Sequence, residues 1–153
     1  MEKLEHIGIA VKDIKNANEL FARLLGTGHY KIEEVASEGV RTAFFELGGV
    51  KIELLEATTD ESPIARFIAK KGEGVHHLAF EVTDIHESLR KYKDLGFHLI
   101  NQEPKKGADN KLIFFLHPRS ANGVLVELCQ EVKSIDPPSL KASAGDANSA
   151  VDS

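Results

Sequence analysis

The sequence predicts an α+β chain built from two tandem copies of one module, each running strand, helix, then two or three further strands. Three observations predict it. Residues 5–14, EHIGIAVKDI, align without a gap on residues 76–85, HHLAFEVTDI, at an offset of 71 that sets His6 against His77 and Asp13 against Asp84. Later in each half, GVKIEL at 49–54 matches GVLVEL at 123–128 at an offset of 74, which sets Glu53 against Glu127. In both copies the apolar period changes from two to about 3.6 at the same place, the mark of a strand passing into a helix.

Element by element, Ile7, Ile9 and Val11 alternate as a half-buried strand does, and Asp13 stands where a helix N-cap belongs. Ile14, Ala17, Leu20, Phe21 and Leu24 follow at helical spacing, and Gly26 fits the C-terminal stop. Strands are expected at Arg41–Leu47 and Val50–Leu55, turned at Gly48–Gly49. Asp60–Lys71 reads as a connector helix with Asp60 or Ser62 as cap, Pro63 in its first turn, an apolar stripe of Ile64, Phe67 and Ile68, and Gly72 as its stop. The second copy repeats the order: Leu78, Phe80 and Val82, then Asp84, then Ile85, Leu89 and Tyr92 before Gly96. Strands at Leu112–Leu116 and Val124–Cys129 follow, separated by a turn at Ser120–Gly123. The expected organisation is a first module at 1–57, a connector at 58–73, a second module at 74–131 and a tail at 132–153. The tail carries two adjacent prolines, no aromatic residue and few large apolar ones, the composition of a disordered segment.

Composition narrows the partners. The 153 residues are 42% hydrophobic and 28% charged, enough for one ordinary core. A net charge of −5 argues against a phosphate-backbone binder and for a small-molecule partner. The chain opens on no charged-then-apolar leader, and its apolar runs fall far short of the ~20 residues that cross a bilayer, so no membrane partner and a cytoplasmic location are expected. Cys129, the single cysteine, lies in VLVELC and reads as a buried small hydrophobe.

The chemistry is expected at His6, Glu53, His77 and Glu127. By strand alternation Glu53 shares a face with Lys51 and Leu55, and Glu127 with Leu125 and Cys129. An ionised carboxylate in such company is costly unless a cation compensates it. Two imidazoles with two carboxylates suit one divalent ion of the Co, Ni, Zn, Mn or Fe(II) kind better than calcium or magnesium. His76 is expected on the opposite face of its strand and outside this set. His29, His86, His98 and His117 have no repeat partner.

With these residues in view, residues 3–130 resemble the methylmalonyl-CoA epimerases of the vicinal oxygen chelate superfamily. The likeness lies in HIGIAVKDI, KIELLEATTDESPIARFI, GVHHLAFEV and FFLHPRSANGVLVEL. Glyoxalases, extradiol dioxygenases and antibiotic-resistance proteins share that superfamily, so fold alone does not choose the reaction. The DESPIARFI connector, GVHH and HPRSANGVLVEL point to the epimerase. The resemblance implies two βαβββ modules forming a cupped sheet around a metal held by His6, Glu53, His77 and Glu127. It implies inversion at C2 of methylmalonyl-CoA by proton transfer through Glu127 first and Glu53 second, an acyl-CoA partner and a homodimer. A glyoxalase I-like isomerase (lactoylglutathione lyase) and a metal-free binding or resistance module of the same fold are the alternatives. One position departs: some bacterial epimerases carry a glutamate base in a GVxE context, and this chain has GVRT, with Thr42 there. The basic loop Pro104–Lys111, PKKGADNK, reads first as a solvated surface loop and second as a phosphate contact.

Overall fold

In the computed structural model, which describes residues 3–132, the chain runs β1 (Lys3–Ala10), α1 (Ile14–Leu25), β2 (Lys31–Val35), β3 (Val40–Leu47), β4 (Val50–Ala57), α2 (Pro63–Lys71), β5 (Gly74–Glu81), α3 (Ile85–Asp94), β6 (Lys105–Lys106), β7 (Lys111–Leu116) and β8 (Val126–Glu131). All eight strands join one curled sheet in the order β2-β3-β4-β1-β5-β8-β7-β6. The two first strands, β1 and β5, meet antiparallel at its centre, and each is flanked in parallel by the last strand of its own half, β4 or β8.

The repeat is reproduced down to its caps. Asp13 accepts the amides of Lys15 and Asn16, and Asp84 those of His86 and Glu87, satisfying donors that a helix start leaves unpaired. Glu56 and Gln130, equivalent residues next to the ends of β4 and β8, accept the first helical amides, from Ile14 and Ile85. Gly26 ends α1 in the left-handed conformation, φ 75°, where a side chain would be strained. Ser62, rather than Asp60, caps α2 by accepting the Ile64 amide.

One face of the sheet is covered by α1 and α3. Ile9, Val11, Ala43, Phe45 and Leu54 pack under Ile14, Ala17 and Phe21 of α1, while Phe114, Leu116 and Leu128 pack under Ile85 and Leu89 of α3. The other face is concave, and α2 seals one end of it by placing Ile64, Phe67 and Ile68 on Ala10, Val40 and Leu55. His6, Gly8 and Ala10 of β1 therefore point inward and are more buried than Ile7 and Ile9. Buried Cys129 donates to the Phe80 carbonyl, and burial pushes its thiol far above the ordinary range.

Edge strands β2 and β6 were not placed by the sequence. The segments they bound are tied together across the mouth of the sheet: the Asp109 amide donates to Glu33 at 2.9 Å, Lys31 Nζ lies 2.5 Å from the Asp109 carboxylate, and Lys105 pairs with Glu38 at 2.9 Å. Several expected boundaries shift by one to three residues. Strand β8 starts at Val126 rather than Val124, after a loop in which Asn122 and Gly123 take positive φ. Val132 exchanges hydrogen bonds with Asn110 and so belongs with the folded chain; the rest of the expected tail lies outside the described residues. Among the described residues, no helix is long and apolar enough to cross a membrane.

Candidate metal centre

The site forms where the two halves meet. Across the sheet, Gly8 lies between Glu53 and His77, and Ala79 lies between Glu127 and His6. In register, each half thus sets its glutamate two strands from the histidine of the other, with a small residue on the strand between them. All four side chains are buried: His6 and Glu53 are 4% exposed, Glu127 5% and His77 6%.

Two β-bulges add further groups that alternation did not predict. Pairing of β1 with β5 passes from Leu4↔Phe80 to His6↔Ala79, leaving Glu5 unpaired, and from Gly8↔His77 to Ile9↔Val75, leaving His76 unpaired. A bulge turns adjacent side chains toward one face. His76, expected on the opposite face from His77, therefore lines the same cavity, and Glu5 is buried beside His6. Burial, with His77 beside it, brings His76 down to about 4, so its ring is neutral.

Three of the four expected ligands converge. His6 Nε2 lies 3.0 Å from His77 Nε2, His77 Nε2 lies 3.2 Å from Glu127 Oε1, and His6 Nε2 lies 3.7 Å from that oxygen. Donors bound at about 2.1 Å to one ion lie ~3.0 Å apart in an octahedron and ~3.4 Å apart in a tetrahedron, so this triangle has the size of a metal-binding face. Glu53 stands differently: its Oε2 is 3.1 Å from His6 Nδ1, the ring nitrogen that Glu5 approaches at 2.5 Å. The structure groups Glu53 with His6 and Glu5, and His6 with His77 and Glu127.

The buried charges of the site act strongly on one another. Burial opposes charging His6, but the carboxylates of Glu127 and Glu53 outweigh it and push the ring up to about 10. Glu127 is held well below the ordinary carboxylate range; full burial would raise it, but the charge on His6 and hydrogen bonds from both histidines win. Glu53 goes the other way, raised to about 7 by burial and by neighbouring Glu127, Glu5 and Asp109 against His6. Glu5 is lowered to about 2, since His6 and Lys51 together exceed its burial cost. With Glu5 paired to Lys51, two buried carboxylates and two imidazoles remain, a donor set whose charge a divalent ion could offset without a proton.

The concave face encloses a cavity of about 230 Å³ onto which all four expected residues open. Val40, Leu55, Ile64, Ile113, Phe115 and Leu125 make its walls largely apolar. Thr42, fully buried on β3, also faces it, and its hydroxyl has no hydrogen-bond partner among the described residues. Lys105, Gly107 and Ala108 bring the 104–111 loop to the cavity wall, so this segment is part of the site's enclosure rather than a free surface loop. Sequence reasoning missed Glu5 and the network beyond it, in which Lys51 reaches Glu5 at 2.8 Å and Asp109 at 3.0 Å.

Comparison with known proteins agrees with this fold. Residues 5–115 match the model of the Glyoxalase/Bleomycin resistance protein/Dioxygenase superfamily. An uncharacterized protein of Bacillus subtilis, YqjC, is 45% identical over 130 residues, covering 85% of this chain and 93% of its own. The mitochondrial methylmalonyl-CoA epimerase of Dictyostelium discoideum is 39% identical over 127 residues, covering 82% of this chain and 76% of its own. A variant of Streptomyces coelicolor methylmalonyl-CoA epimerase, solved with 2-nitronate-propionyl-CoA, superposes with a TM-score of 0.83 at 32% identity, covering 90% of this chain and 99% of that one.

Proposed function

The chain belongs to the glyoxalase/bleomycin resistance protein/dioxygenase superfamily, within which its likeness is to methylmalonyl-CoA epimerases, and from that premise we propose that it inverts C2 of methylmalonyl-CoA. The observation that carries the reading is the placement of buried Glu53 and Glu127, from different halves, on one enclosed and otherwise mainly apolar cavity beside His6 and His77. Epimerisation needs a proton removed from one face of a carbon between two carbonyl groups and one returned to the other face.

In this reading His6, His77 and Glu127 hold one divalent ion, with Glu53 adjoining them through His6. When bound, the ion supplies Lewis-acid stabilisation of the negative charge that develops on the substrate oxygens. The protein supplies the proton transfers. Glu53, whose carboxyl burial raises above the ordinary range, takes the C2 proton on its side of the cavity, and Glu127 serves the other side. Thr42 lacks a carboxylate and is no base; its unpaired hydroxyl faces the cavity as a donor for a substrate oxygen. Apolar walls from Val40, Leu55 and Phe115 exclude water and strengthen every charge interaction inside.

The test is exchange of the α-proton of methylmalonyl-CoA in deuterated water, measured beside net epimerisation and beside a glyoxalase assay. Glu127→Gln is expected to lower turnover by about 10²-fold or more at saturating metal. Glu53→Gln is expected to leave exchange of one epimer running while inversion stops. Near-normal epimerisation by Glu127→Gln with full metal refutes its role as base. Turnover of a glutathione hemithioacetal with no exchange of methylmalonyl-CoA refutes the epimerase reading.

A further inference from the structure

Each imidazole of the central pair is contacted on Nδ1 by the residue that precedes it in the chain. Glu5 Oε1 is 2.5 Å from His6 Nδ1, and His76 Nδ1 is 3.0 Å from His77 Nδ1. The two neighbours occupy equivalent positions of the repeat, and each is the unpaired residue of a bulge. Without the bulges, strand alternation would send Glu5 and His76 to the opposite face, out of reach of the rings. Both are fixed in turn from behind. Lys51 Nζ lies 2.8 Å and Lys111 Nζ 3.6 Å from the second Glu5 oxygen, and the His76 ring stands edge-on to Phe67 with centroids 4.9 Å apart.

The hydrogen-bond chemistry then selects the tautomers. A carboxylate only accepts, so when a cation takes the place of the proton on His6 Nε2 the remaining proton sits on Nδ1, against Glu5. Two Nδ1 atoms at 3.0 Å share one proton, and one of them donates. We propose that Glu5 and His76 are a duplicated pair of positioning residues. Glu5 accepts the Nδ1 proton of His6 and His76 accepts that of His77, so that both rings present an unprotonated Nε2 toward Glu127 and a bound cation. The inference rests on the reading that His6 and His77 hold a metal ion. Outer partners of this kind orient a ligand histidine, fix its tautomer and raise its basicity. The pair is unequal by design of the sequence: charged Glu5 increases the donor strength of His6 more than neutral His76 increases that of His77.

The test uses the full chain, with Co²⁺ as the probe ion, titrated against a chromophoric competitor and followed by its visible absorption. Glu5→Gln removes the charge and keeps the shape, while His76→Phe keeps the packing on Phe67 and removes the acceptor. Each is expected to weaken Co²⁺ binding by about 10–100-fold and to shift the visible bands, with the cooperative melting transition preserved. Glu5→Gln is expected to have the larger effect. Because the two variants lie on different strands, failure of either one to fold leaves the other as the test. Unchanged affinity and spectrum in the folded variants, against a wild type that binds Co²⁺, overturn this proposal alone. Wild-type protein that takes up no Co²⁺ overturns the cation-site reading, and this proposal with it.

Discussion

Gly8 is where the backbone of one half makes room for a ligand histidine of the other. It faces His77 across the β1–β5 pair, and a methyl group built on it would lie 2.6 Å from His77 Nδ1, 2.8 Å from Nε2 and closer still to Cε1. Ordinary contact needs roughly 3.5 Å, so in Gly8→Ala the ring must retreat by about 1 Å. Any retreat breaks the contacts that place His77: its Nδ1 is 3.0 Å from His76, and its Nε2 is 3.0 Å from His6 and 3.2 Å from Glu127. A 1 Å displacement takes Nε2 out of the donor triangle. Loss of an outer partner alone costs about 10–100-fold in metal affinity, so loss of a ligand should cost about 10²-fold or more, close to 3 kcal/mol. Gly8 has no positive φ, and the equivalent residue of the other half is Ala79, so the backbone itself accepts alanine. Co²⁺ titration and thermal melting of the same preparation check this: weakened binding with a melting temperature within a few degrees of wild type is expected. Wild-type affinity in folded Gly8→Ala refutes the reasoning, because the ring would then have space the structure does not show. Loss of cooperative melting refutes it differently, by showing that the sheet yields before the ring.

Phe114→Ala should destabilise by about 3–5 kcal/mol in a denaturant melt, since the side chain is fully buried among Ile85, Leu89 and Leu128. It points away from the cavity, so the KM of the folded fraction should stay unchanged. Thr42→Val should keep or raise the melting temperature, because it removes a buried hydroxyl with no protein partner, and should raise KM if that hydroxyl meets substrate; a clear loss of stability would show the hydroxyl to be satisfied within the fold. Asp109 is lowered from 3.8 to about 2 because hydrogen bonds from Lys31 and Lys51 exceed its burial cost. A depressed carboxylate adds stability above its unfolded value that is lost as pH falls through its folded one. The shift has a ceiling of about 2.4 kcal/mol, which screening at this part-exposed group reduces to about 1 kcal/mol. Asp109→Asn should therefore melt a few degrees lower at pH 7, the gap closing between about pH 3.8 and 2. A gap that is constant across that range would exclude the charge as its cause.

Features that recur in the chain at short range were readable from it. Asp13 and Asp84 cap helices because an N-cap depends on a side chain and the two or three amides after it, and the match of EHIGIAVKDI to HHLAFEVTDI exposed the central strands. Glu5 and His76 were not readable. A bulge inserts one residue into a period of two and leaves no mark in composition, so strict alternation sent His76 to the wrong face. Strand β2, KIEEV, carries two adjacent glutamates and no clean alternation, because at the sheet edge its polar residues serve Lys31, Asp109 and Arg41 instead of a core. The ties from Lys31 and Lys51 to Asp109 join residues 78 and 58 positions apart, and such pairs leave no periodic trace.

The repeat also says less than it first suggests about what its two glutamates do. Glu53 and Glu127 are equivalent in sequence and each borders a small residue of a central strand, yet their proton affinities move in opposite directions. The backbone is symmetric; the charges laid on it are not. Both histidines hydrogen-bond to Glu127, whereas Glu53 feels Glu5 and Asp109, the acidic members of a network that has no counterpart at the other end of the pair. Duplication therefore accounts for the position of the two carboxylates on opposite halves of one cavity; the hydrogen bonds that both histidines give Glu127, and the neighbouring carboxylates of Glu127, Glu5 and Asp109 around Glu53, account for their difference in basicity. On this argument Glu5→Gln should lower the proton affinity of Glu53 as well as the metal affinity of His6, moving the acidic limb of the pH–rate profile to lower pH. An acidic limb that stays in place while Co²⁺ affinity falls would separate the two effects and assign Glu5 to the histidine alone.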